Sequence, residues 1–205
     1  MILRKKLWAL AAVPATITAI LLATLVGLPG GRANATAFTA TFTAVEDTFV
    51  RETNPDRNYG RHSKLQVDES PNIKRTLIRF SVTGFPEGAT VTSATLRLFV
   101  VNHSRTGGTV HTVEAAWSEA TTTWSNAPAV GAKEAEIAGP ALVGNWVEAD
   151  VTSAITSNGD ADFYLVTGSA DAVYYSSTEA ATNPPTLIVQ VQANDPSPSP
   201  TPAPT

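Results

Sequence analysis

Beyond residue 35 the side chains best suited to holding a ligand are three tryptophans and a crowd of arginines and lysines. Trp117 and Trp124, with Asn126 and Pro128 close behind, can offer an indole to the C–H face of a pyranose while flanking polar groups read its hydroxyls. The same spacing sets the two rings two turns apart in a short helix–turn segment. There, packing as a lid over one end of a sandwich is the stronger reading, because a large buried aromatic contributes so much to packing. Trp146, opening an extended segment after Gly144-Asn145, is ambiguous in the same way. Arg51, Arg57, Arg61, Lys64, Lys74, Arg75 and Arg79 fall in one stretch. In extended chain alternate residues share a face, so Arg75 and Arg79 lie together and Lys74 points opposite. If these strands are neighbours, Arg51, Lys64, Arg75 and Arg79 line one sheet face and can pair with uronic-acid carboxylates, a task suited to the bidentate guanidinium fork. The competing reading is internal pairing with Glu46, Asp47, Glu52, Asp68 and Glu69, which is common on exposed sheets.

Other chemistries are poorly served. No G-x-S-x-G, H-E-x-x-H or phosphate-binding loop occurs. His62 and His103 lie near turns and His111 in an extended segment, none with an evident acid or nucleophile partner. Glu119 and Glu148 are the pair a sandwich can bring together for glycoside cleavage, and the expectation is that the chain is not an enzyme. Asp47, Asp56, Asp68 and Glu69, with Asn54 and Asn58, offer oxygens for a calcium ion. No EF-hand or nonapeptide spacing orders them, so solvated loop acids are the better reading.

Whatever positions these side chains is a β fold. Phe38 to Thr43, Asp47 to Arg51, Leu65 to Asp68, Thr76 to Val82 and Thr95 to Val100 alternate with period two. Leu96, Leu98 and Val100 are placed inward, with Arg97 and Phe99 on the other face. Thr109 to Ala115, Lys133 to Ile137, Trp146 to Val151, Asp162 to Thr167, Ala172 to Ser176 and Thr186 to Gln192 continue the series. Turn signals such as Asn54-Pro55, Tyr59-Gly60, Pro86-Glu87-Gly88, Gly107-Gly108 and Asn183-Pro184-Pro185 separate them. Short strands at regular spacing without a long helical pattern mean an antiparallel sandwich or barrel. One-turn helices are expected at Ser118 to Thr121 and Thr152 to Ile155, with Ser118 and Asp150 as caps.

Length and composition agree. The chain has 205 residues, 43% hydrophobic and 16% charged, with no cysteine. That rules out wholesale disorder, a disulfide framework and a thiolate metal site. Arg4, Lys5 and Lys6, the apolar run Leu7 to Leu28 and Ala33-Asn34-Ala35 have the anatomy of a secretory signal peptide over residues 1–35. A retained membrane anchor is the alternative. Residues 36–193 form the domain, and residues 194–205, alternating Pro with Ser, Thr or Ala, read as an extended linker or tail. Cleavage leaves ten basic against eighteen acidic residues. A general affinity for nucleic acid is thereby excluded as an expectation.

The ordered set D-T-F-V-R, N-Y-G, L-Q-V-D, K-R-T-L-I-R-F, T-S-A-T-L-R-L-F-V, W-S-E-A-T-T-T-W-S-N-A-P, W-V-E-A-D-V-T and S-S-T-E-A, from about Ala44 to Val191, resembles the DNRLRE domain. That is a group of extracellular bacterial modules similar to carbohydrate-binding module family 96. The resemblance implies a jelly-roll-like β-sandwich appended to secreted enzymes or surface proteins and, for some members, binding to acidic polysaccharide such as alginate. A structural calcium rests on analogy with jelly-roll modules. The resulting expectation is a secreted, monomeric, non-catalytic module that binds an acidic polysaccharide of cell wall or matrix, such as a polyuronate, through Arg51, Lys64, Arg75, Arg79, Trp117 and Trp124. No membrane contact is expected after cleavage, and a partner domain can lie beyond the linker. The rival expectation is a structural or adhesive surface module with no glycan ligand.

Overall fold

Period-two alternation commits each segment to a pleat with one face for the core, and the strands follow from it. A computed structural model describes residues 35–194. They form β1 (Ala35–Thr43), β2 (Glu46–Arg51), β3 (Lys64–Val67), β4 (Lys74–Val82), β5 (Thr90–Asn102), β6 (Thr109–Val113), β7 (Val130–Glu136), β8 (Trp146–Asp150), β9 (Gly159–Val166), β10 (Val173–Ser176) and β11 (Thr186–Asn194). The expected signal peptide and Pro-rich tail fall outside the described residues except for Ala35 and Asn194, which pair with each other. Among the described residues no helix is long and apolar enough to cross a membrane.

All pairings are antiparallel, and the strands make two sheets, so the expected β-sandwich is what forms. One sheet runs β1-β11-β5-β10-β3, with β8 on the other edge of β5; the second runs β2-β4-β9-β6-β7. The core between them takes alternate residues of each strand. Leu96, Leu98 and Val100 of β5 are buried as their alternation predicts, and they meet Ile78, Phe80 and Val82 of β4 and Phe163 and Leu165 of β9 in one cluster. Arg97 and Phe99 remain half-exposed on the opposite face.

The second sheet is covered on its outer side as well. Val50, Leu77 and Tyr164 project from that face and, with Trp117, make a smaller cluster; Trp124 and Ala127 pack on its rim. The segment joining β6 to β7, residues 114–129, supplies this cover. It turns at Ser118, whose carbonyl accepts the N–H groups of Thr121 (3.2 Å) and Thr122 (2.9 Å). The helix expected there does not form. The Thr122 hydroxyl takes the N–H of Ser118 (3.2 Å) and the Asn126 side chain takes that of Thr123 (2.7 Å), so side chains compete with helical bonds. At Thr152–Ala154 a single 3-10 turn does form, and the Asp150 carboxylate accepts the Thr152 N–H at 3.0 Å.

Candidate functional site

Strand register decides which basic residues share a face. Arg75 and Arg79 both project from the outer side of β4, beside Leu77. Arg51 pairs with Lys74 across β2 and β4, and so lies on the opposite side, where its guanidinium reaches Asn72 at 3.4 Å. Lys64 opens β3, in the other sheet. The four cations foreseen as one face are therefore not gathered. Sheet membership is set by long-range pairing, which alternation along one strand does not reveal.

Internal pairing takes Lys74, Arg79, Arg97 and Lys133. Arg79 sits between its two register partners, donating to Glu46 (2.6 Å) and to Asp162 (2.8 Å), with a further bond to the Trp117 carbonyl at 3.3 Å. Partial burial works against its charge, but Asp162 and Glu46 outweigh that and raise its affinity for the proton. Lys74 is buried against Asp68 (3.1 Å), and Arg97 pairs with Glu148 (2.8 Å). Trp117 joins the same network. It is buried, its indole N–H donates to Asp162 at 2.7 Å, and the Arg79 guanidinium lies 4.9 Å from its ring centre. It is packed rather than offered to a ligand, but over the outer face of the second sheet and not over an end of the sandwich.

Arg75 is different. Among the described residues it makes no ion pair, and its guanidinium lies 5.2 Å from the centre of the half-exposed Trp124 ring. The two line an open cleft of about 280 Å³, floored by Tyr164 and walled by Ala127, Pro128 and Ala129. Burial pushes the Tyr164 phenol up to about 12, the neighbouring Arg75 pulling the other way. At neutral pH the cleft thus holds a fixed cation, an aromatic face and a neutral hydroxyl. A second exposed aromatic patch, Phe99 against Trp146 with Arg97 over the indole, has its cation already neutralised by Glu148.

The carboxylates converge elsewhere. Glu148 faces outward on β8 beside Arg97, whereas Glu119 lies at the free edge of β2 with Asp47 and Glu179, so the pair considered for glycoside cleavage does not assemble. One oxygen from each of Asp47, Glu119 and Glu179 falls within 4.8 Å of the others. Burial, followed by the charge of Glu179, raises Asp47 to about 7; burial and then the hydrogen-bonded, like-charged Glu179 raise Glu119 to about 8. Of the oxygens considered for calcium, Asp47 is here, while Asn58 acts as a brace, donating to the carbonyls of Glu119 (2.7 Å) and Thr122 (2.8 Å). Asp68 is engaged by Lys74, and Asp56 accepts from Ser125 at 2.8 Å. Glu179 was missed: it stands far along the chain from Asp47, and the only hint was its place in S-S-T-E-A.

The antiparallel sandwich thus carries two aromatic–arginine patches on its surface. The pattern of carbohydrate-binding module family 96 matches residues 38–191, and the chain belongs to that family. No curated protein matches the chain.

Proposed function

We propose that this chain is an exported, non-catalytic module that binds an acidic polysaccharide through the Arg75–Trp124 cleft. The observation that carries this reading is Arg75: a half-buried guanidinium with no carboxylate partner among the described residues, held beside an indole at the mouth of a cleft. An arginine in that setting is free to give its fork to a carboxylate, and Trp124 offers the ring face on which a sugar stacks. Family membership supports a carbohydrate ligand in general; an unpaired cation beside a stacking face favours a uronate over a neutral sugar. The leader-like residues 1–35 support export, with a mature N-terminus at Thr36.

Calorimetry with alginate and with a neutral glucan across a salt series tests this. Arg75→Gln should weaken alginate binding about 10- to 100-fold, the worth of a charged hydrogen-bonding contact. Trp124→Ala should weaken it as well, and affinity should fall as salt screens the contact over about 8 Å at physiological ionic strength. Salt-independent binding to the neutral glucan, untouched by Arg75→Gln, would move the site to another aromatic patch. Binding to neither would favour a structural or adhesive surface module.

A further inference from the structure

Three carboxylates brought together from separate segments at a sheet edge need something to hold them. Asp47 comes from β2, Glu119 from the turn after Trp117, and Glu179 from the turn after β10. Asp47 is 1% exposed. Its Oδ2 accepts the Thr178 N–H at 2.8 Å, but its Oδ1 is buried with no hydrogen-bond partner. A buried, unpartnered carboxylate oxygen is costly, and native structures leave few of them.

The backbone around the cluster is firmly placed. Asn58 ties down the chain on either side of the Glu119 turn, and a side chain at Gly60 would meet the Glu119 carbonyl at 2.5 Å. The Glu179 N–H is held by the Ser177 hydroxyl at 3.1 Å. In front of Glu119 and Glu179 lies a hollow of about 340 Å³, open to water, where Glu46 and Arg61 are the other charged groups. We infer that Asp47, Glu119 and Glu179 form a calcium site.

The geometry fits the ion. Two oxygens bound to one calcium at about 2.4 Å can be at most about 4.8 Å apart, and the three acids meet that limit. Three carboxylates, each mono- or bidentate, supply part of the six to eight oxygens calcium takes, and the hollow admits water for the remainder. Magnesium prefers to keep several of its waters, and zinc favours nitrogen and sulfur ligands, of which the cluster has none. The ion would give the Asp47 carboxylate a partner and offset the burial and, after it, the repulsion from Glu179 that now raise the proton affinities of Asp47 and Glu119. It would also tie β2 to the turns bearing Glu119 and Glu179, in place of the disulfide this chain cannot make.

The test uses the full chain stripped with chelator. Calcium titrated by calorimetry should bind at one site, with a dissociation constant of about 10⁻⁴–10⁻³ M or tighter. Calcium at 100 times that constant should lower the unfolding equilibrium constant about 100-fold, seen as a rise in Tm. Glu119→Gln and Glu179→Gln, both away from the deep core, should abolish saturable binding and the Tm response. In chelator neither should melt below the parent, because each puts an uncharged amide of the same shape where carboxyl groups crowd one another. No binding by the parent up to about 10 mM, well above the constants typical of weak extracellular sites, would overturn the site. Retention of the calcium response in both variants would overturn it equally, and an equal response to magnesium would overturn the assignment to calcium.

Discussion

Arg75 and Arg79 stand two pleats apart on the same face of β4, yet their neighbours give them opposite roles. Arg79 has Glu46 and Asp162 directly across on both flanking strands; Arg75 has Val50 on one side and a cleft above it. Removing Arg79 leaves two carboxylates facing each other across the site of a lost cation, only partly exposed. Arg79→Ala should therefore destabilise the domain by about 1–3 kcal/mol, between the limits for surface and buried pairs. Arg75→Ala should cost only about 0.5–1 kcal/mol, the worth of its contact with Trp124. Urea unfolding of the two variants checks this, and equal losses would mean that Arg75 is a structural residue after all. The pairing of Arg75 with Arg79 on one face was legible from period two alone. That Arg79 would be consumed by its neighbours was not, because Asp162 and Glu46 reach it only through register.

At the level of the strands, alternation located nearly every element but not its ends. β5 extends over Thr90–Asn102, whereas the clear alternation spans only Thr95 to Val100. The added residues before Thr95 are mostly small and polar, and what makes them strand is a partner: Thr90 to Ser93 pair with Gln192 to Gln190 of β11. β9 likewise begins at Gly159, where it meets the end of β4 at Val82. Ladder bonds, invisible in a single segment, set these ends. The middle of β5 is where pattern and packing agree most closely, since Leu98 is 1% exposed and lies in the main cluster between the sheets. Leu98→Ala should cost about 2–5 kcal/mol through lost burial and the cavity left behind. Chemical denaturation should show this as a lower midpoint at an unchanged slope. A loss below half of one kcal/mol would mean that the sheets do not close over this residue.

For the molecule as a whole, the two ends of the described chain are neighbours. β1 pairs along its length with β11, from Ala35 against Asn194 to Thr43 against Thr186. β1 is an edge strand, but it carries core: Ala40 and Phe42 are buried in the main cluster, and Phe38 and Phe42 both meet Phe85 edge-on at 6.5 and 6.2 Å. A fragment of residues 36–193 keeps this closure and should unfold in one cooperative transition. A fragment starting at Ala44 loses it. Losing Phe42 alone from a core removes about 3–5 kcal/mol, and Ala40, the Phe38 contact and the ladder to β11 go with it. Domains of this kind have only about 5–15 kcal/mol in hand, so the shorter fragment should lack a cooperative transition and expose the edge of β11 to self-association. Calorimetric melting and light scattering of the two fragments decide the matter. A cooperative melt of the shorter fragment near that of the longer would show that β1 is an appendage and that the sandwich is complete without it.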